Sequence, residues 1–491
     1  MGVSLSTITR VLGIDIKYKN FNTGNTMMLP QRLAIIGQGN DGIDYPLDKF
    51  EVEASAAAVA DKFGYGSPLH LAALQLFPIN GESATFPVTI YPVKAAAQSA
   101  AASGTIAVSG EATKAGSGTV RIGGETANFV FEKSAAGKDI AAAIVKAINA
   151  VLAMPVIAES GDGEDAAEIK LTAKWSGELG NDIRISLEAD APGVEFTVGT
   201  NLEGGAGVAS VTAALKKIGV VWETFLLNTL GYKNTNLLDE YYEFGNGRWA
   251  TLVKKPCLVA SGCTDDYATR TAITDARKTD YINFLVTSVG SDELPFVVAA
   301  KAMMNDIVTT ANENPARGYK GLLTGLAMGS DEAQEDVAVR NLSVGKGAST
   351  NVKNGSVAEL NDIITMHHPE NEGEFPSKRY VADLVKLMNV VYNIRLIMES
   401  DEVKGAPLLP DEDITSNPAA LQPKTVKTWF ANLADSLADN AIIADAAFTK
   451  KNLSVAISSA NPKRLDTVFP VKLSGNVEVA SVDLPYGFYL G

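Results

Sequence analysis

Apolar and polar residues first alternate at Leu12, Ile14, Ile16 and Tyr18, which predicts a half-buried strand. Loop-forming residues follow (Asn20, Asn22, Thr23, Gly24, Asn25), so this strand hangs on a tether with no partner beside it in sequence. RLAIIGQGNDG then predicts an apolar strand over Leu33 to Ile36 that ends in a glycine turn. Helical spacing returns near Glu53 to Phe63 and Leu69 to Phe77, and TFPVTIYPV reads as a further strand.

The small-residue stretch KAAAQSAAAS (Lys94 to Ser103) breaks this pattern. Beyond it lie short alternating strands separated by glycine turns: GTIAVSG, GTVRIGG, TANFVFEK, MPVIAES, AEIKLTAK, DIRISLEA and VEFTVG. One amphipathic helix, Lys138 to Leu152, carries Ile140, Ile144, Val145 and Ile148 on a stripe. GGAG closes the segment, which therefore reads as a separate β-rich insertion.

After Gly207, apolar runs (FLLNTL, PCLVASG, INFLVTSV, GLLTGLAM) alternate with helical patterns near Ala209 to Ile218, Leu237 to Phe244 and Phe296 to Thr310. That alternation predicts an α/β core with a mostly parallel sheet. A long helix over Lys378 to Met398 is apolar at Val381, Leu384, Val385, Met388, Val391 and Tyr392, and another spans Val426 to Leu437. The chain ends in strand patterns, LSVAISSA, LDTVFPVKLSG and NVEVASVDL, the last two joined at Gly475-Asn476 as a tight hairpin. Both extremities thus read as exposed strands.

Composition narrows the possible functions. With 491 residues, 46% of them hydrophobic, the chain can hold two or three cores. Its 57 acidic residues against 42 basic give a net charge of −15, which disfavours a nucleic-acid partner. No window approaches the ~18 apolar residues of a membrane span, and the N-terminus lacks the pattern of a secretory signal, so a soluble chain is expected. Cys257 and Cys263 are too few for a disulfide framework and read as reduced thiols.

Candidate chemistry is sparse. Gly37, Gly39 and Gly42 match GxGxxG after a strand, and an α/β oxidoreductase binding a nucleotide there is the alternative reading. Against it, Pro46, Asp41, Asp44 and Asp48 follow where a helix N-terminus should receive the diphosphate. His70 reads as a packing residue, and His367-His368 lie in a polar loop before Pro369. No nucleophile–base pair, metal set or other catalytic motif is recognisable, so no catalytic residue, cofactor or metal is expected. A surface adhesin, suggested by the β-rich insertion alone, would need an export signal.

In combination these segments resemble the tail sheath proteins of contractile phages, the Mu-like group in particular. The likeness rests on RLAIIGQG and on the insertion, most of all Leu171 to Gly180 followed by Asn181-Asp182. It extends to Arg248-Trp249, to Asn314-Pro315-Ala316-Arg317 (where the family usually has Asp in place of Asn314), and to GLLTGLAM. The resemblance implies a non-enzymatic subunit, polymerised as stacked hexameric rings around a tail tube and contracting to drive that tube through a host envelope. Tube, baseplate and tail terminator proteins are the implied partners. Assembly in the host cytoplasm and residence in the virion tail are the implied locations.

The corresponding division is an N-terminal arm (1–26), a first core part (27–95), the outward-facing insertion (96–206), a second core part (207–475) and a C-terminal arm (476–491). Exchanged strands would run through Leu12, Ile14, Ile16 and Tyr18 at one end and Val477, Val479, Val482 and Leu484 at the other. Lys386, Lys424 and Lys427 are the candidate tube contacts.

Overall fold

The computed structural model describes residues 27–488 except 53–54, 162–166, 323, 356 and 374–375. The strand expected over Leu12 to Tyr18 therefore lies outside the described residues, as does Leu490. Two compact units are present: residues 30–388 with 475–488, and residues 27–29 with 389–474.

In the larger unit, β1 (Leu33–Gln38), β2 (Phe50–Val52) and β3 (Val88–Val93) precede the β-rich segment. That segment contains β4 (Ala101–Gly110), β5 (Gly116–Ile122), β6 (Glu125–Phe131), β7 (Val156–Ser160), β8 (Glu168–Ser176), β9 (Ile185–Asp190) and β10 (Val194–Val198). β11 (Phe225–Asn228), β12 (Leu258–Cys263) and β13 (Asn283–Thr287) follow it. The principal sheet has the order β13-β12-β11-β1-β3-β2, with every pairing parallel except that of the short β2 with β3. It is thus a mixed sheet in an α/β fold.

All residues of β1, β3, β11, β12 and β13 are buried, which explains why their sequences read as continuous apolar runs. Helices cover both faces. Pro68–Leu76 and Pro295–Ala302 pack on one, while Thr212–Ile218 and Thr235–Trp249 close the other around Ile36, Leu226, Tyr241 and Ile282. Gly262 allows the Pro295–Ala302 helix to sit close, because a Cβ there would lie 1.5 Å from the Pro295 carbonyl oxygen.

The β-rich segment forms two antiparallel sheets, β10-β4-β8-β7 and β6-β5-β9, on either side of the helix Gly137–Ala150. Of the predicted stripe, Ile140, Ile144 and Ile148 are fully buried there with Trp175, Leu171 and Ile106, while Val145 is half-buried. Entering and leaving chains are bridged at Ala100–Ala206 and Ser103–Glu203.

Three expectations differ from the structure. GLLTGLAM forms no strand among its described residues: Gly321 (φ 82°) and Gly325 (φ 66°) hold left-handed backbone that breaks an extended run. The segment lies instead against a hairpin of β14 (Thr350–Asn354) and β15 (Val357–Asp362), through Gly321 N–H to Leu360 and Thr324 N–H to Ala358 carbonyls. The expected helix over Phe296 to Thr310 is divided: a π-helical turn, Met303–Ile307, separates Pro295–Ala302 from Val308–Glu313. Finally, Gly475-Asn476 makes no hairpin, since residues 474–488 carry no ladder with the other described residues.

The smaller unit packs Val426, Phe430, Leu433 and Leu437 of helix Pro423–Asp439 against Ile442, Ile443 and Leu453. Its strands form two-stranded ribbons, β16 (Ile443–Ala444) with β19 (Lys472–Leu473) and β17 (Ser454–Ile457) with β18 (Leu465–Val468). Helix Val381–Met398 turns Asn389 and Asn393 to the backbone of Leu29 and Met27, at 2.8 Å each, which fixes the point where the described chain begins.

Asp306, on the π turn, is 4% exposed, and its Oδ2 has no hydrogen-bond partner among the described residues. Burial pushes its carboxyl up to about 7, against the opposing pull of Arg317. The proton is held in the folded chain between about pH 4, the unfolded value, and about pH 7. Stability from it is complete below about pH 4 and is lost as pH rises to about 7. Asp306→Asn should therefore raise the denaturation midpoint at pH 8, by up to about 4 kcal/mol as an upper limit, with the gain vanishing by pH 4. An equal gain at both pH values in urea titrations would mean that the carboxyl titrates normally.

Candidate functional site

Doubly wound sheets bind ligands outside the carboxyl ends of their strands, where the strand order reverses. Here that point lies between β1 and β11, and it includes the Gly37–Gly39–Gly42 turn. The crevice is closed by the chain itself. Gly39 N–H donates to the Tyr45 hydroxyl (3.0 Å), Asn40 N–H to the Phe63 carbonyl (2.8 Å) and Asp41 N–H to the Lys174 carbonyl (2.9 Å). These three amides of the turn each have a protein acceptor.

The closing piece is the end of β8 and the turn after it. Gln38 Nε2 donates to the Ser176 carbonyl (2.6 Å), the Ser176 hydroxyl to Asp41 (2.5 Å) and Lys174 Nζ to the Tyr65 carbonyl (3.1 Å). Lys233, just after β11, bridges Asp182 (3.0 Å) and Asp265 (3.1 Å). Burial raises the Asp182 carboxyl above its ordinary range, against the opposing Lys233 charge. The space left beside Gln38, Gly177 and Leu230 is about 10 Å³, room for about one water, and the adjoining hollow beside Asp182, Leu230 and Lys233 is about 190 Å³, where ligand pockets take ~300–1,000 Å³. The first helix begins at Ala56, capped by Ser55, well past the turn. Thus the stretch Leu171 to Asp182, singled out in the sequence, seals the place where an α/β enzyme would hold its ligand.

The remaining reactive groups serve packing. His70 is 4% exposed; its Nδ1 accepts from Gly66 N–H at 3.0 Å, and burial, with Lys174 nearby, pushes it down to about 4. His367 and His368 each face a carboxylate, Glu372 at 3.2 Å and Asp275 at 3.3 Å. Burial pushes both Cys257 and Cys263 thiols up to about 12. Among the described residues no three His, Cys, Asp or Glu side chains are grouped to hold a metal ion.

The chain terminus has the opposite character. Asn476 is seated on Lys386 (2.6 Å) and donates to the Ala316 carbonyl (2.9 Å), while the Glu478 carbonyl accepts from Lys320 (2.6 Å). Asn314-Pro315-Ala316-Arg317 is therefore the seat from which the tail departs, with the Asn314 side chain accepting from Ala316 N–H. Beyond the seat Val479, Val482, Leu484, Tyr486 and Phe488 stand 80–88% exposed, as does Val477.

Of the three lysines singled out, Lys386 is corrected. Its side chain is 0% exposed, paired with Asp383 at 3.1 Å and bonded to Asn476, so its charge is spent inside the chain. Lys424 and Lys427 are exposed on helix Pro423–Asp439, and Lys424 Nζ also donates to the Asp411 carbonyl. Sequence reasoning missed the docking lysines Lys174 and Lys233, whose partners are remote in sequence. No period marks such pairs.

No family profile matches the sequence. The chain is 24% identical over 488 residues to the Mu-like prophage FluMu tail sheath protein of Haemophilus influenzae, spanning 95% of this chain and 96% of the relative. That relative bears out the resemblance to contractile-phage tail sheath proteins along nearly the full length. Among solved structures, the sheath tail protein of Listeria innocua aligns with 12% identity over 93% of this chain and 94% of its own, TM-score 0.47. That of Desulfitobacterium hafniense aligns with 13% over 91% and 93%, TM-score 0.43. The contracted helical sheath of the anti-feeding prophage gives 10% over 98% and 99%, TM-score 0.46.

Replacing Lys233 with Met would leave Asp182 and Asp265 facing each other without a counter-charge. The half-exposed site sets the expected loss at about 1 kcal/mol near pH 7, and the loss should shrink at acid pH as Asp182, whose carboxyl burial raises, takes up its proton. Urea midpoints at the two pH values measure it; an unchanged midpoint at pH 7 would show that this bridge contributes nothing to docking.

Proposed function

We propose that this chain is the subunit of a contractile tail sheath, a structural polymer and not an enzyme. The observation that carries the reading is the end-to-end similarity to the FluMu tail sheath protein. Subunits surround a tail tube in stacked hexameric rings, and the lattice shortens to drive the tube through a host envelope. Tube, baseplate and terminator proteins are its partners in the virion tail, which is assembled in the host cytoplasm. The sealed crevice supports this reading over the oxidoreductase alternative, because contraction draws on a free-energy difference between two lattices and needs no bound fuel.

The arms supply the linkage between subunits. A segment with exposed apolar side chains and unpaired backbone gains most by adding to a sheet edge of another chain. Residues 479–488 have this character, and Val477 is equally exposed. The two-stranded ribbons of the smaller unit offer open edges, since two strands alone are marginal. Leu12, Ile14, Ile16 and Tyr18 of one subunit add to such a ribbon in a neighbour, and Val477, Val479, Val482 and Leu484 reach a different neighbour. Each Val or Leu so buried contributes about 1.5–3 kcal/mol before ordering costs. The insertion (96–206) faces outward, while Lys424 and Lys427 meet the tube through charge complementarity weak enough to break during firing.

Purified full-length protein should form hollow striated tubes in negative stain. Deleting residues 1–20, or truncating after Glu478, should abolish long tubes while leaving thermal melting of the subunit nearly unchanged. Long tubes from either truncated chain would refute strand exchange by that arm, and a permanently monomeric full-length chain would refute the sheath reading itself.

A further inference from the structure

Arg248 is 6% exposed, yet its guanidinium forms no part of the sealed crevice. It lies in the last turn of helix Thr235–Trp249 and donates to three carbonyls: Lys255 (3.2 Å), Gly219 (2.9 Å) and Val221. Trp222 Nε1 donates to the Pro256 carbonyl (2.7 Å), Trp249 Nε1 to that of Cys257 (3.2 Å), and Lys255 Nζ to that of Val220. Two surface loops, 219–222 and 250–256, are thereby cross-bound into one stiff rim. Lys254 even holds left-handed backbone (φ 52°) that an L side chain rarely adopts.

What this framework displays is apolar. Val220 is 83% exposed and Leu252 is 92% exposed. Around them stand Lys216 and Lys217, exposed in the last turn of helix Thr212–Ile218, and the half-buried Lys254 and Lys255. Glu223 is turned inward at 1% exposure, bonded to Arg32 and Tyr91, while Lys217 Nζ donates to the Leu47 carbonyl next to the exposed Asp48. A rigid apolar pair ringed by lysines is an unusual surface on a chain of net charge −15. It suits an occupant that joins exposed aliphatic surface to negative charge.

The same sequence carries such a surface. Asp411, Glu412 and Asp413 are exposed immediately before Ile414, which is 102% exposed. We propose that the rim formed by Val220, Leu252 and their lysines docks the Asp411–Ile414 loop of a second copy of this chain. Arg248 is the positioning residue that holds the two halves of the rim together. Rim and loop are different surfaces, so the contact is head-to-tail, and repeated without closure it generates a helical array. The inference rests on the sheath reading but is separate from the terminal arms: it adds a charged contact between subunit bodies.

The test uses the full-length chain at about 0.1 M salt, where surface charges still act over ~10 Å. A rim variant (Lys216→Glu, Lys217→Glu, Lys254→Glu) and a loop variant (Glu412→Lys, Asp413→Lys) should each raise the concentration for half-maximal assembly at least tenfold. Their thermal melting should remain at the wild-type value. A chain carrying both sets should recover assembly, because the charges are exchanged between the two faces. Arg248→Lys, keeping the charge but losing the three-carbonyl fork, should weaken assembly without changing its salt dependence. Undiminished assembly in both single-set variants, or failure of the combined chain to recover, overturns the docking contact while leaving the sheath reading intact. If the wild type forms no tubes, the sheath reading fails by itself. Salt-sensitive dimers in sedimentation, lost in the rim variant, would then still support the contact, and a monodisperse monomer would overturn it.

Discussion

A parallel sheet buried on both faces leaves one vulnerable place, the crevice beyond its carboxyl edge where strand order reverses. Backbone donors converge there, and they must be satisfied by ligand, water or protein. In this molecule the answer is protein: Tyr45 and Phe63 take the Gly39 and Asn40 amides, and the end of β8 takes that of Asp41 and the Gln38 side chain. The β-rich segment is thus anchored at the most chemically competent point of the α/β body. A fold that elsewhere hosts nucleotide chemistry keeps only a hollow of about 190 Å³ at that point. The same anchoring gives the segment a defined pose on its neighbours within the larger unit, which suits a component that must transmit force and not change shape itself.

Much of the architecture was legible because burial and period coincide. β1, β3, β11, β12 and β13 are continuous apolar runs for the reason that helices cover both faces, and the alternating strands of the insertion follow from its two half-exposed sheets. Where reading failed, a local rule was overridden by something the period cannot carry. GLLTGLAM has the composition of a strand, yet its two glycines take left-handed backbone. Helix Val381–Met398 reads as apolar but buries Lys386, Asn389 and Asn393, each bonded to chain remote in sequence. Lys386 was legible as a charge on a helix, and only its burial revealed that Asn476 uses it.

The glycine turn teaches the same lesson from the other side. Gly37, Gly39 and Gly42 satisfy a well-known spacing, and the strand before them is real. What decides the chemistry is where the loop amides point and what they already bind. Phe63 and Lys174 are remote from the turn in sequence, and Tyr45, three residues past it, is not part of the glycine spacing, so the spacing alone was silent about them. Arg248-Trp249 shows the converse: a two-residue signature with no chemical motif organises the carbonyls of two loops.

The two thiols carry a consequence for durability. Cys257 stands just before β12 and Cys263 ends it, both fully enclosed. Raised to about 12, they present only a trace of the nucleophilic anion near neutral pH. Six residues of extended chain also keep them roughly 20 Å apart, too far to join. Oxidants in solution therefore find little reactive anion on either sulfur, and the pair cannot close on itself.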